Sequence, residues 1–274
     1  MVVGVRPLDR LARIAFRGVV FGTFAFITFP LLLIFWLSFV SNEILSMPPE
    51  GYSLRWYSAM FNQPQFMGGF ITSLTVAVIA TFAGLVVTVP ACFALTRLTF
   101  RGREAIVQLL MAPLIVPAIV IGSAVYMGFV EFEVATGVPI TGSALGLAAG
   151  HVLLTIPWSM RLITANLIGV NQSIEEAALS LGATPIVTAL KVTLPLIWPG
   201  LVAAALFSFV ISFSNVELSL FLVAPGQTTL PIAILQYLQW KIDPTIAAVS
   251  VLQILVVAGG ILLTNRFVSL AKVV

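Results

Sequence analysis

Residues whose types and spacing could do chemistry are sparse in this 274-residue chain, and two places group them. The first is the segment from Asn171 to Pro199, which reads NQSIEEAALSLGATPIVTALKVTLPLIWP. The second is the short polar run of Ser214, Asn215 and Glu217 inside an otherwise apolar stretch. Side chains of these types form hydrogen bonds and ion pairs with a partner or a solute. We therefore expect these two places to dock a partner protein or to bind a solute.

Bond-making chemistry is not expected. The single histidine, His151, lies near the outer part of a predicted span, either as a hydrogen-bonded packing residue or as a solute contact or proton relay. The only cysteine, Cys92, lies in an apolar run, so a disulfide or a cysteine metal site is unavailable. ATP hydrolysis would need a Gly-rich loop ending in Lys-Ser or Lys-Thr, which the sequence lacks. The chain is therefore predicted to be no enzyme and to bind no metal or cofactor itself.

The elements that position these residues must be membrane helices. The chain is 60% hydrophobic and 8% charged, whereas soluble domains carry roughly 25% charged residues. A helix needs about 20 apolar residues to cross the hydrocarbon core. The sequence predicts an all-α, polytopic bundle, a single domain over 1–274, with spans near 16–40, 68–96, 105–130, 143–169, 199–223 and 245–269.

Prolines interrupt several of these spans, and each one removes a backbone donor and bends its helix. Such breaks either line a translocation path or merely fit the packing. The prolines concerned are Pro30, Pro90, Pro113, Pro117 and Pro157.

The basic residues predict the orientation, because cytoplasmic loops of membrane proteins carry an excess of Lys and Arg. The termini and segment 170–198 are placed in the cytoplasm, and loops 41–67, 131–142 and 224–244 face outward. The net charge of +3 is scattered singly, which argues against a nucleic-acid surface. The cytoplasmic set is Arg6, Arg10, Arg13, Arg17, Arg97, Arg101, Arg103, Lys191, Arg266 and Lys272, against Arg55 and Lys241 outside.

Segment 171–199 predicts two short helices. Ser173 and Glu176 are spaced as a capping box, and Glu175 and Glu176 complement the positive end of the helix dipole. Gly182 offers the left-handed residue that ends a helix. Thr184 and Pro185 then look like the cap and first residue of a second helix.

The second helix is expected to run to about Val192, before Leu194-Pro195 stops it. Small residues on the exposed side would let another backbone approach closely. The object is either a docking knob below the bilayer or an amphipathic helix on the lipid surface, although the latter usually carries Lys and Arg. The apolar stripe comprises Ile174, Ala177, Ala178 and Leu181, and the small residues are Ala177, Ala178, Ser180 and Ala183.

The spacing in this segment resembles the signature of inner-membrane permeases of ATP-binding-cassette (ABC) importers with the type I fold. The elements are Glu176-Ala177-Ala178, Gly182, Val192 and Leu194-Pro195. Shorter motifs resemble the spermidine/putrescine-type branch of that family: Trp56-Tyr57-Ser58, Phe100-Arg101-Gly102, Phe207-Ser208-Phe209 and Leu230-Pro231.

The resemblance implies a bacterial inner-membrane permease that works by alternating access. Segment 173–192 would be its coupling helices, inserted into a separate ATPase. The implied partners are two ATPase subunits that hold ATP and Mg²⁺, a second permease, similar but different, and an external solute-binding protein. The implied ATPase-coupling residues are Glu175, Glu176, Ala177, Ala178, Ser180, Leu181, Gly182, Ala183 and Pro195.

The solute is less narrowly predicted. Charged groups inside a span are functional candidates, and Glu217 with Ser214 and Asn215 is the clearest cluster. It could line the solute path or a gate, bond the partner permease, or lie wet at the outer surface. The family branch suggests a polyamine, but Ser214 and Asn215 are neutral where that branch is often acidic, so an amino acid-like amine is equally open. An ion-coupled secondary transporter is the alternative function.

Overall fold

The structure is a computed structural model that describes residues 7–44, 48–224 and 226–267, without the side chains of 7–11 and 267. The predicted cytoplasmic charges Arg6 and Lys272, and the last two residues of the predicted sixth span, lie outside the described residues. Within the described ranges the chain is helical, and its only β-structure is two isolated β-bridges.

Thirteen α-helices form the described part of the chain. A 3-10 turn, Ala112–Leu114, and a π-helical turn, Ala189–Thr193, lie between them. The α-helices are α1 Pro7–Leu37, α2 Arg55–Phe61, α3 Pro64–Arg97, α4 Arg103–Met111, α5 Ala118–Thr136, α6 Ala144–Gly169, α7 Gln172–Ser180, α8 Pro185–Thr188, α9 Leu194–Leu196, α10 Trp198–Phe213, α11 Ser219–Leu222, α12 Leu230–Trp240 and α13 Thr245–Phe267.

The predicted all-α membrane fold is confirmed, with corrections to two of its six spans. Five helices in the described ranges are long and apolar enough to cross a membrane: Ala12–Leu37, Pro64–Arg97, Ala118–Thr136, Ala144–Gly169 and Thr245–Arg266. A sixth crossing exists only if Pro185–Leu196 and Trp198–Phe213 are counted as one span bent by 74°. The predicted fifth span, 199–223, is wrong as a single helix because α10 ends at Phe213.

The predicted third span, 105–130, is also wrong as a single helix. The chain leaves α-helical geometry after Met111, and α5 begins only at Ala118. Pro113 and Pro117 explain the break, because proline lacks a backbone donor and disfavours helical geometry in the preceding residue. By contrast, Pro30, Pro90 and Pro157 lie inside continuous helices.

Two of the predicted outer loops contain helices. Loop 41–67 contains α2, and loop 224–244 contains the eleven-residue α12. Pro231 lies in the first turn of α12, where its missing donor would have no intrahelical partner anyway. Both helices are too short to span a bilayer, so span-length hydropathy does not detect them.

The described residues divide into two compact units. The larger holds 63–224, 226–236 and 255–267, and its core is built from α3, α6 and α10. One apolar cluster joins these helices near the predicted cytoplasmic side, where Cys92, Met160 and Ile163 meet Ile197 and Ala204. Cys92 is buried there.

Close helix approach in the larger unit depends on glycine. A Cβ atom added at Gly84 of α3 would lie 2.4 Å from the hydroxyl oxygen of Thr155 in α6. One added at Gly200 of α10 would lie 2.4 Å from the side-chain amide of Asn166 in α6. Small residues at such crossings let membrane helices pack backbone against backbone.

The smaller unit holds 7–44, 48–62 and 237–254. Hydrogen bonds hold the segment that follows α1 in this unit, including one from the Trp56 indole to the Val40 carbonyl at 2.6 Å. Asp243 is buried and accepts bonds from the Tyr237 hydroxyl and the Thr245 amide, both at 2.9 Å. Burial alone would raise the pKa of Asp243, but bonds from Thr245, Lys241 and Tyr237 outweigh it, so its pKa lies below the usual value.

Candidate functional site

The coupling segment, residues 171–197, begins with a cap two residues earlier than the sequence predicted. Helix α7 starts at Gln172, and the Asn171 side chain accepts a bond from the Ser173 amide at 3.1 Å. The predicted capping box of Ser173 and Glu176 is therefore wrong. With Asn171 as the cap, Ser173 lies inside the first turn and Glu176 no longer occupies the third helical position.

Gly182 ends α7 as predicted. Its φ angle is +90°, the left-handed region in which glycine carries no Cβ penalty. The Gly182 amide donates to the Leu179 carbonyl at 2.9 Å, and the Ala183 amide donates to the Ala178 carbonyl at 3.1 Å. These two crossed bonds form a Schellman motif, which satisfies carbonyls that the end of a helix leaves without partners.

The second helix of the coupling segment is longer and less regular than predicted. Thr184 caps it, accepting from the Val187 amide at 3.4 Å, and Pro185 occupies the first turn, as expected. Pro195 was expected to end the helix near Val192, but the helix passes through the π turn and α9 to Leu196 before it bends. Proline has no backbone N–H, so Pro195 cannot donate the hydrogen bond that a regular α-helix requires at that position. The wider π turn just before Pro195 changes the hydrogen-bond register there.

The C-terminal end of α7 and the turn that follows it are exposed. Leu181 is 90% exposed and Ile174 is 45% exposed, so the described residues leave the predicted apolar stripe uncovered at these two positions. Glu176, Ala177 and Ser180 are exposed as well, while Ala178 and Ala183 are half-buried. An apolar surface at such a tip fits a partner that covers it.

Glu175 faces inward instead. Its carboxylate accepts two bonds from the Arg97 guanidinium, at 2.8 and 3.1 Å. The Thr193 hydroxyl donates to the same carboxylate at 2.8 Å, and Arg97 donates a further bond to the Leu167 carbonyl at 3.1 Å. Glu175 thus joins the coupling segment to the last turns of α3 and α6.

A groove of about 660 Å³ lies between the end of α3 and the coupling segment. Its walls are almost wholly apolar and include Val89 and Phe93 of α3, Leu179 of α7, and Ile186 and Leu190 beyond the turn. Arg97 and Glu175 also line it. The coupling segment therefore packs loosely on α3 along this side, which leaves its polar contacts to set its position.

The predicted solute-path residues lie in a helix break rather than inside a span. Ser214 is the C-cap of α10, and its hydroxyl donates to the Val210 carbonyl at 2.6 Å. The side-chain oxygen of Asn215 accepts from the Leu218 and Ser219 amides at the start of α11. Glu217 is exposed and its carboxylate accepts a bond from the Asn215 amide at 3.3 Å. The three residues are thus brought together at an interruption, where membrane proteins place irregular backbone next to cavities or protein.

His151 contacts the residues on both sides of this break. It is 1% exposed, and its two ring nitrogens lie 2.7 Å from the Ser212 hydroxyl and 2.9 Å from the Ser219 hydroxyl. Ser212 precedes the break and Ser219 follows it. Both nitrogens have partners within the chain, so the geometry favours the packing interpretation of His151.

The sequence did not single out Arg97 or Thr193, the two partners of Glu175. Arg97 served only as an orienting charge, and Thr193 fell between the motif positions Val192 and Leu194. The contact joins residues 78 positions apart. Local sequence patterns carry no signal for such a pair. The one available signal is an arginine at the end of an apolar span in a chain whose cytoplasmic segment begins with glutamates.

Comparison with known proteins gives one family and several relatives. Residues 80–271 match the family described as binding-protein-dependent transport system inner membrane component. The putrescine transport system permease protein PotI of Escherichia coli is 30% identical over 84% of this chain and 82% of its own length. The spermidine/putrescine transport system permease protein PotC of Haemophilus influenzae is 27% identical over 89% of this chain and 93% of its own length.

Solved structures give the same fold. A chain of a bacterial ABC transporter involved in the import of the acidic polysaccharide alginate aligns with a TM-score of 0.72 and 17% identity, covering 96% of this chain and 98% of that one. The MetNI methionine ABC transporter aligns with a TM-score of 0.61 and 22% identity over 77% of this chain and 96% of that one. At these identities the likeness concerns the fold.

Proposed function

This chain belongs to the family of binding-protein-dependent transport system inner membrane components, and from that premise we propose that it is the permease of an ABC importer for a small organic amine. The observation that carries the coupling part of this proposal is the coupling segment itself. Its tip is exposed and apolar at Leu181, and its shape is fixed by the Asn171 cap and the Gly182 turn. A rigid, uncovered tip is suited to a socket on another protein.

Energy comes from separate ATPase subunits, two for each complex, which hold the ATP and Mg²⁺. The coupling segment is gripped by an ATPase, and closure of the ATPases shifts the permease between inward- and outward-open states. Such a shift requires the ATPase contact to favour one state over the other, because equal affinity for both shifts nothing. A second permease, similar but different, and an external solute-binding protein complete the complex.

The contact between Arg97 and Glu175 supports the proposed orientation. Arg97 belongs to the basic group that the distribution of charges assigns to the cytoplasm, and it bonds directly to the coupling segment. The coupling segment and the turn after α3 therefore share one side of the membrane. With both termini on that side too, loops 41–67 and 224–244 would meet the binding protein outside.

The solute that we propose is a diamine of the putrescine class. The ground is that PotI and PotC, which are named as permeases of putrescine and spermidine/putrescine transport systems, are 27–30% identical to this chain. Glu217 supplies an exposed carboxylate at the helix break, which suits an ammonium group. The neutral Ser214 and Asn215 beside it make the site less acidic than a polyamine would favour, so an amino acid-like amine is the competitor to test.

Reconstitution into proteoliposomes tests the proposal. The permease, its second permease, ATPase and binding protein are combined, and uptake of labelled putrescine and of a zwitterionic amino acid is measured with and without ATP. We expect ATP-dependent putrescine uptake that stops when ATP alone is withdrawn. Uptake by the permease alone, driven by an ion gradient, would overturn the proposal.

A further inference from the structure

The contacts around Glu175 form a compact unit that the docking role of the segment does not explain. We name Arg97, Glu175 and Thr193 the clasp. One carboxylate oxygen of Glu175 accepts from Arg97 at 2.8 Å, and the other accepts from Arg97 at 3.1 Å and from Thr193 at 2.8 Å. Paired, charge-assisted bonds of this kind fix geometry as well as energy, because the planar guanidinium matches the carboxylate only in one orientation.

The clasp is largely shielded from water. The side chains of Arg97 and Glu175 are 17% and 14% exposed, and Thr193 is 1% exposed. Exposed ion pairs contribute little because water competes for them. A shielded pair behaves differently, since removal of one partner leaves the other charge poorly solvated. The clasp therefore resists separation of the groups that it joins.

The clasp connects four elements at one point. Arg97 is the last residue of α3, and its remaining bond reaches the Leu167 carbonyl in the last turns of α6. Glu175 lies in the first turn of α7, and Thr193 ends the π turn. The apolar groove beside these elements offers little other packing along α3.

We propose that the clasp makes the coupling segment and the ends of α3 and α6 move as one body, so that displacement of the segment by the ATPase reaches the membrane helices. Arg97, Glu175 and Thr193 are positioning residues in this role, and none of them needs to touch the ATPase. The proposal rests on the proposed function. It predicts that a loosened clasp lets the ATPase bind and hydrolyse ATP while less solute moves for each ATP.

A matched pair of variants at Thr193 tests this without a change of charge. Thr193→Val keeps the shape of the side chain but removes the hydroxyl, and Thr193→Ser keeps the hydroxyl. In proteoliposomes containing the whole complex, we expect Thr193→Val to lower the solute moved per ATP by about fivefold and Thr193→Ser to retain most of it, as for loss of one bond in a coupled network. Glu175→Gln, which removes the charge, should lower it by at least about tenfold.

Glu104→Gln is the control, because Glu104 is an exposed carboxylate in the first turn of α4 on the same side. A purely structural role predicts fewer folded complexes with an unchanged solute-to-ATP ratio. An unchanged ratio in Thr193→Val would overturn the proposal, even if Glu175→Gln fails to fold. Failure of the proposed function looks different, since the wild-type permease would then retain no ATPase on purification.

Discussion

Glu175 and Leu181 belong to the same short coupling segment but have opposite surroundings. The Glu175 side chain is 14% exposed and bonded to Arg97 and Thr193, whereas Leu181 is 90% exposed at the tip. The base of the segment at Glu175 is thus bonded to the membrane helices, and the tip at Leu181 is exposed and open to a partner. This division separates residues that hold the segment from residues that present it.

The Gly182 turn should be essential to the shape of the tip. Gly182→Pro removes the donor to the Leu179 carbonyl and imposes a φ near −65°, incompatible with the observed +90°. Gly182→Ala should cost about 1–2 kcal/mol through left-handed strain. We expect solute-stimulated ATP hydrolysis to be abolished by the proline variant and reduced by the alanine variant, with membrane insertion intact.

Gly169→Ala is the matched control, since Gly169 ends α6 close to the segment and a Cβ there meets no atom within 4 Å. Alanine favours the helix, so this variant should keep full stimulation. Full transport by Gly182→Pro would show that the shape of the turn does not matter.

The crossing of α3 and α6 at Gly84 predicts a suppressor pair. Gly84→Ala places a methyl group against the buried Thr155 hydroxyl, and we expect overpacking to cost about 1–3 kcal/mol. Thr155→Ala in the same chain should recover most of that loss because it vacates the space. Thermal unfolding in detergent measures both, with Gly68→Ala on the same helix as the neutral control. A Gly84→Ala variant as stable as wild type would contradict the observed packing.

His151 should prove to be a packing residue. His151→Ala would remove the His151 bond of the Ser212 hydroxyl and one of the two bonds of the Ser219 hydroxyl, and it would open a cavity, at a cost of about 2–4 kcal/mol. Ser159→Ala, which breaks a buried bond to Ser208, offers a milder comparison of about 1 kcal/mol. Unfolding temperature and uptake per folded complex are measured together. Wild-type stability with complete loss of uptake would instead indicate a relay or solute contact.

Glu217 should affect the solute rather than the ATPase. Glu217→Gln keeps the size of the side chain and removes the charge at the break between α10 and α11. For an exposed carboxylate facing an ammonium group, we expect the KM for putrescine to rise about fivefold. Glu50→Gln, at another exposed carboxylate, should leave KM unchanged. An unaltered KM in Glu217→Gln would remove this residue from the solute path.

Local signals predicted the Gly182 turn and the start of the second helix, while contacts between distant residues were missed. Gly182, Thr184 and Pro185 act on their own neighbours, so their roles follow from sequence alone. The prediction that Ser173 caps the helix was wrong because Asn171, an equally good cap residue, lies two residues earlier and begins the helix first. The link between Arg97 and Glu175 depends on how α3 and α6 pack, which spacing along the chain does not encode.

Span prediction failed where hydropathy and backbone chemistry disagree. Residues 105–130 and 199–223 are apolar enough to span, so hydropathy joined each of them into one helix. Pro113 and Pro117 break the first, and the polar run from Ser214 to Glu217 interrupts the second. The sequence predicted bends at Pro113 and Pro117 but not separate helices, and it gave no prediction of the second break.

Photo-crosslinking from the tip tests the central claim most directly. A photoreactive residue at Leu181 is compared with one at Leu145, which is 72% exposed at the start of α6. The account predicts that position 181 captures the ATPase subunit in membranes and position 145 does not. Adducts from position 181 with lipid or with an external protein, and none with the ATPase, would contradict it.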